Sequence, residues 1–62
     1  MTHDLECEQT IIRLLEGGPL FAGSFGAPGE PEALERLIER GHVTRYYEGF
    51  AGLLGLSRVR LA

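Results

Sequence analysis

Apolar residues near the start of the chain recur at the spacing of one helix face. These residues are Cys7, Ile11, Leu14 and Leu15. Their spacing of i, i+4, i+7 and i+8 predicts an amphipathic α-helix over about residues 4–16. Acidic residues in its first turn suit the positive end of the helix dipole. The Gly-Gly-Pro sequence of residues 17–19 then indicates where this helix ends.

The next segment, residues 19–29, has no regular hydrophobic period. Residues 20–22, Leu-Phe-Ala, fit either a short strand or an irregular plug. Glycines and a proline interrupt residues 23–29, which indicates a loop. We therefore expect a short strand or irregular structure here and no helix.

A second apolar stripe marks the clearest helix, over about residues 31–40. Pro31 stands in its first turn, where the missing N–H costs nothing. The stripe consists of Ala33, Leu34, Leu37 and Ile38. Gly41 is a typical C-terminal stop. The opposite face is charged, and on it Glu32 and Arg36 form a favourable i, i+4 pair.

From residue 42 the alternation takes the period of two that is typical of strands. Residues 42–47 and 56–61 alternate in this way, and the residues between them, 48–55, are rich in glycine. This pattern predicts an antiparallel hairpin over residues 42–61. Val43, Arg45 and Tyr47 share one face of the first strand, and Ser57, Val59 and Leu61 share one face of the second. We expect Arg45, Arg58 and Arg60 to form either a basic face of the hairpin or an ordinary solvated face with cross-strand pairing.

Together these elements predict a single small domain over residues 1–62. The predicted fold class is α+β, with two helices packed on a small antiparallel β-hairpin or three-stranded sheet. A chain of 62 residues has room for one small core. Its hydrophobic content of 44% is high enough that we do not expect disorder.

The second half of the chain resembles winged helix-turn-helix domains. The residues that carry the resemblance are Leu34, Leu37, Ile38, Gly41, Val43 and Arg45, followed by the strand Arg58-Val59-Arg60-Leu61. The resemblance covers about residues 31–62. It implies that the helix before the hairpin corresponds to a recognition helix and the hairpin to a wing.

Two features depart from the winged-helix pattern. Residues 19–30 leave little room for the middle helix of that family. The helix in the recognition position also carries Glu30, Glu32, Glu35 and Glu39, which would repel DNA phosphates. The resemblance therefore implies a reduced or degenerate winged helix. It supports a winged-helix architecture more than it supports DNA binding.

Charge also makes strong nonspecific binding to nucleic acid unexpected. The net charge is −3, from nine acidic and six basic residues, and all six basic residues are arginine. Residues 1–30 hold five acids and one arginine, whereas residues 31–62 hold four acids and five arginines. We therefore expect any anion to be recognised by the second half, where arginine offers planar, multidentate donors.

Several function classes are not expected. A single cysteine excludes an internal disulfide, and with two histidines it makes no structural zinc site. No catalytic or phosphate-binding motif is present, so we expect neither an enzyme nor a cofactor nor a small-molecule substrate. No apolar run suits a membrane span, and the acidic N-terminal residues do not suit a signal peptide. The expected compartment is the cytoplasm.

The loop at the tip of the hairpin is the least expected feature. Hairpin tips are usually polar, yet this one carries Phe50, Leu53 and Leu54. These side chains either complete the core or form an exposed contact patch.

The first functional hypothesis is a small, non-enzymatic regulatory protein that binds another protein. It would be an adaptor or an inhibitor of the kind that phages and mobile elements encode, and its partner would be a foreign protein or a second copy of itself. The residues expected to contact the partner are Tyr46, Tyr47, Phe50, Leu53, Leu54, Arg45, Arg58 and Arg60. The aromatic and leucine side chains would be apolar anchors, and the arginines would give specificity.

The second hypothesis is a winged-helix-like transcriptional regulator that binds DNA. Its phosphate contacts would come from Arg36, Arg40, Arg45, Arg58 and Arg60. The acids among these arginines place DNA second to protein as the expected partner.

Overall fold

The computed structural model describes the backbone of residues 2–62 and the side chains from Asp4 onward. Within that range the chain forms three α-helices, a three-stranded sheet and one turn of 3₁₀ helix over Ala22–Ser24. The helices are α1 (Thr2–Leu15), α2 (Glu30–Glu39) and α3 (Gly49–Leu53). The strands are β1 (Leu20–Phe21), β2 (Val43–Tyr46) and β3 (Arg58–Leu61).

The sheet is antiparallel, with the strand order β1-β3-β2. β2 and β3 form the predicted hairpin, in which Val43 lies opposite Leu61 and Arg45 opposite Val59. β1 pairs with the other edge of β3, where Leu20 lies opposite Val59. The α+β fold class is therefore confirmed, in its three-stranded form, and β3 is the central strand.

The core lies between the sheet and the two long helices. Ile11 from α1, Leu37 from α2 and Val59 from β3 are its largest fully buried side chains, so each layer contributes one. From Asp4 onward, the buried residues are Cys7, Ile11, Leu15, Phe25, Ala33, Leu34, Leu37, Val43 and Val59. Leu14, which the sequence pattern placed in the stripe of α1, is instead half exposed.

The segment between β1 and α2 closes one side of the core with a single aromatic side chain. The 3₁₀ turn ends at Phe25, whose backbone N–H donates to the carbonyl of Ala22 at 3.2 Å. The Phe25 ring is almost completely buried. This segment forms no α-helix, and it contributes to the core through one buried ring. The sequence predicted a short strand or an irregular plug at residues 20–22, and β1 is that short strand. The burial of Phe25 was not predicted.

A glycine cap sets the turn from α2 into the sheet. Gly41 has a φ of +79°, a conformation that L-residues with a side chain rarely adopt. The N–H of His42 donates to the carbonyl of Leu37 at 2.9 Å, and that of Gly41 to the carbonyl of Ile38 at 3.0 Å. This is a Schellman cap. The cap ends α2 at the position that was predicted from Gly41 in the sequence, and it directs the chain into β2.

Phe25→Ala should lower the free energy of unfolding by about 3–5 kcal/mol, because it leaves a cavity in the core. Phe50→Ala is the matched control, since its ring is largely exposed, and it should change stability by no more than about 0.5 kcal/mol. Urea unfolding followed by far-UV circular dichroism measures both changes. Equal losses from the two variants would contradict the core described above.

Candidate functional site

The tip of the hairpin is a short, capped helix where the sequence predicted a loop. α3 begins at Gly49, with a φ of +65°, and is followed by Gly55, with a φ of +85°. The N–H of Leu56 donates to the carbonyl of Ala51 at 3.0 Å, and that of Gly55 to the carbonyl of Gly52 at 3.1 Å. These two bonds form a second Schellman cap. The tip is therefore a defined structure built from residues close together in the chain.

Gly52 allows the tip to lie against Tyr47. A Cβ atom at position 52 would lie 3.1 Å from the carbonyl carbon of Tyr47 and 3.2 Å from its Cβ. Contacts this short are rare between real atoms, and the backbone of Tyr47 cannot move aside as the end of a flexible side chain could. The absence of a side chain at Gly52 thus sets the distance between α3 and the end of β2.

The large side chains of the tip point into solvent. Phe50, Leu53 and Leu54 are 77%, 85% and 66% exposed, and their i, i+3, i+4 spacing places them on one helix face. Tyr47 and Leu56, on either side of α3, are more than half exposed. Of the two alternatives for this loop, the structure therefore has the exposed patch and not the completed core. These five residues are called the apolar tip below.

The face of the sheet that points away from the helices carries arginines stacked on aromatic rings. Phe21, Arg58 and Tyr46 lie side by side across the three strands. The Cζ atom of Arg58 lies 4.5 Å from the centre of the Phe21 ring, and that of Arg60 lies 5.4 Å from the centre of the Tyr46 ring. Both distances are in the cation–π range. These four residues are called the arginine face.

The three predicted arginines outside the arginine face are each bound to a carboxylate of the same chain. Arg36 donates from Nε to Glu8 at 2.9 Å, and Arg40 donates to the other oxygen of the same carboxylate. Arg45 donates to Glu35 at 2.5 Å. The structure thus separates the predicted contact arginines into two groups, because neither arginine of the arginine face contacts a carboxylate among the described residues.

Glu8 is a residue that the sequence analysis did not single out. Its side chain is only 13% exposed and joins α1 to α2 through Arg36 and Arg40. The hydrogen bonds from Arg36 and then Arg40 hold the pKa of Glu8 below its usual value of 4.5. The carboxylate of Glu8 in turn raises the pKa of Arg36. The predicted pairing of Arg36 with Glu32 is not the one that forms, since Arg36 turns toward α1 instead.

A groove of about 380 Å³ runs between α1 and the loop before α2. Its lining consists of Glu6, Cys7, Thr10, Ala27, Pro28 and Glu30. Cys7 is buried, and its Sγ lies 4.0 Å from the carbonyl oxygen of Pro28. Among the side chains that the structure describes, those from Asp4 onward, neither a histidine nor a basic residue lines the groove.

In the part of the chain that the structure describes, no three His, Cys, Asp or Glu side chains come together as a set of metal ligands. None of the helices formed by these residues has the length and apolar character needed to cross a membrane.

Comparison of the chain with protein-family models, with curated proteins and with solved structures finds no match. The two surfaces are therefore interpreted from their own geometry and chemistry.

Glu8→Gln should lower the free energy of unfolding at pH 7 by about 1 kcal/mol, because it replaces the charged acceptor of two arginines. The contribution of Glu8 is present above pH 4.5, where the carboxyl is ionised even in the unfolded chain. It disappears as the pH falls through the lower pKa of the folded state.

Urea titrations between about pH 7 and pH 3 test this, with Glu16→Gln as the control. Glu16 is an exposed residue that makes no ion pair among the described residues. The stability difference between wild type and Glu8→Gln should shrink as the pH falls. A difference that stays constant over this range would show that Glu8 stabilises the fold by something other than its charge.

Proposed function

We propose that this chain is a small, non-enzymatic regulatory protein that acts by binding another protein, with the apolar tip as its main contact. The observation that carries the proposal is the exposure of Phe50, Leu53 and Leu54 on an ordered helical turn. With nine buried residues among those that the structure describes, the core is small, and it would gain stability if these side chains turned inward. Their outward position is better explained by a partner that covers them.

The size of the apolar tip is consistent with a contact surface. Each of the five residues is more than half exposed, and large apolar side chains exposed close together are typical of a contact surface. A specific interface of standard size buries about 800 Å² on each partner. The apolar tip would supply part of one side of such an interface.

The form of the tip favours a concave partner. α3 packs extensively against no other helix or strand, so its apolar face projects from the end of the β2–β3 hairpin. Side chains at i, i+3 and i+4 of a helical turn are the usual anchors of a helix held in an apolar groove. Because glycine caps order the turn before binding, little conformational entropy is lost when the groove closes around it. A foreign protein with such a groove fits better than a second convex tip.

The other predicted partner contacts contribute unequally. Tyr46, Arg58 and Arg60 belong to the arginine face, where neither arginine is paired with a carboxylate among the described residues. Arg45 is held by Glu35, so it would have to leave that carboxylate before it could reach a partner. We therefore assign the charged contacts to Arg58 and Arg60.

Leu53→Ser with Leu54→Ser should abolish partner binding and leave thermal stability nearly unchanged, because both side chains are exposed in the unbound chain. The matched control is Leu5→Ser with Leu14→Ser, since these leucines are also half exposed but lie on α1. Immobilised wild type and both variants are compared for the proteins that they retain, and light scattering over about a tenfold concentration range measures self-association.

A retained protein that is lost with the tip variant and kept with the α1 variant supports the proposal. Self-association that depends on the tip would identify a second copy as the partner. Retention that is equal for all three chains, or absent for all three, contradicts the proposed role of the tip. A large loss of thermal stability in the tip variant would show that these leucines support the fold.

DNA binding by a reduced winged helix is the second candidate function. The β1-β3-β2 strand order and the position of α2 directly before β2 are compatible with a winged-helix layout, and Arg58 and Arg60 would then lie in the wing. A single 3₁₀ turn occupies the place of the middle helix. The ion pairs of Arg36 and Arg40 with Glu8 remove the charge that a recognition helix would need, which is why DNA remains second.

Wild-type protein should show no salt-dependent binding to a labelled DNA duplex at about 50 mM salt, because too few positive charges remain unpaired. Fluorescence anisotropy measures this directly. Binding that weakens steeply with salt, and that Arg58→Gln with Arg60→Gln reduces, would reverse the order of the two candidates.

A further inference from the structure

We infer that the arginine face binds an extended acidic segment of the partner, one that carries carboxylates at alternate residues in an acid-x-acid pattern. This inference rests on the proposed protein-binding function and specifies the chemistry of a second contact, separate from the apolar tip. The occupant is an Asp- or Glu-containing peptide strand that crosses β3 obliquely, between the Phe21 and Tyr46 rings.

The side-chain donors of the arginine face have no acceptor among the described residues. The Arg58 side chain makes no hydrogen bond to any of them, and its Nε is buried without a partner. The residue as a whole is partly exposed. Arg60 likewise pairs with no carboxylate among the residues that the structure describes. Two guanidinium groups on one sheet face thus lack counter-charges.

The aromatic rings hold these guanidinium groups in position. Arg58 lies over Phe21 and Arg60 over Tyr46. A guanidinium stacked on a ring keeps the donors at its edge available, and these donors match the two oxygens of a carboxylate. Since part of the side-chain freedom is already lost, less entropy is lost on binding.

The spacing of the two arginines selects the pattern of the ligand. Arg58 and Arg60 are alternate residues of β3 and share one face of the sheet. Their guanidinium groups turn to opposite sides of β3, Arg58 over Phe21 of β1 and Arg60 over Tyr46 of β2. Carboxylates at positions i and i+2 lie on one side of an extended peptide, so a segment that crosses β3 obliquely can present one carboxylate to each guanidinium group, whereas carboxylates at i and i+1 point to opposite sides.

A short acidic peptide fits this face better than a nucleic acid strand. A nucleic acid continues its phosphates beyond the two arginines and needs a longer positive track. The other arginines of the second half are bound to Glu8 or Glu35, and the chain as a whole has a charge of −3. An acid-x-acid segment needs only the two guanidinium groups that are present.

The test uses fluorescein-labelled peptides of about ten residues, extended in form, at about 25 mM salt. The first carries one Glu-Val-Glu sequence between Ser and Thr residues. The second has the same composition with its two glutamates adjacent. We expect fluorescence anisotropy to show at least about fivefold tighter binding of the alternate peptide, because only it can reach both arginines.

Arg58→Gln with Arg60→Gln should weaken binding of the alternate peptide at least about tenfold. Arg13→Gln, on α1 and outside the arginine face, should leave binding unchanged. Arg58→Lys with Arg60→Lys keeps the charge and loses the planar group, so we expect an intermediate affinity. Circular dichroism checks that each variant is folded, and the lysine variant provides the test if the glutamine variant is not.

Three results would overturn the inference: no binding of the alternate peptide, equal binding of both peptides, or tighter binding of a single-stranded oligonucleotide than of either peptide. The Leu53→Ser, Leu54→Ser variant should bind the alternate peptide like wild type. Failure of peptide binding alongside tip-dependent partner binding would refute this inference and leave the proposed function intact. Peptide binding without any tip-dependent partner would refute the role of the tip alone.

Discussion

The structure depends on the fact that one layer of helices covers only one face of the sheet. β3 is the central strand, and its alternation sends Val59 into the core and Arg58 and Arg60 to the opposite face. A chain of 62 residues has no second layer to cover that opposite face. The same alternation that builds the core therefore also creates the arginine face.

Ion pairs decide which arginines are available at the surface. Glu8 binds Arg36 and Arg40 and thereby joins α1 to α2, while Glu35 holds Arg45 beside the sheet. Three of the five arginines in the second half of the chain are thus paired with carboxylates of the chain itself. The positive surface that remains for recognition is small and consists of Arg58 and Arg60. Its chemical character comes from the aromatic rings on which these arginines lie.

Much of the fold could be predicted from the sequence, because it follows from local patterns. The apolar stripe of α2, the stop at Gly41 and the alternation of the hairpin each depend on neighbouring residues. The buried ring of Phe25 and the pairing of Glu8 with Arg36 could not be predicted in this way. Both depend on contacts between distant parts of the chain, which no hydrophobic period encodes.

The sequence also indicated the tip as a candidate site without indicating its form. Phe50, Leu53 and Leu54 stood out as apolar residues in a loop, but their exposure could not be predicted from composition. The helical spacing of these residues, followed by Gly55, was a signal for a capped turn. The glycines on either side obscured it, because they are equally typical of a loop.

The capped turn at the tip also has a consequence for how the hairpin folds. α3 and its cap use hydrogen bonds between residues no more than five positions apart, so they need no contact between distant parts of the chain. A compact connection in place of a flexible one reduces the entropy lost when β2 meets β3. The β2–β3 hairpin is thus closed by local contacts, and contacts of this kind favour fast folding.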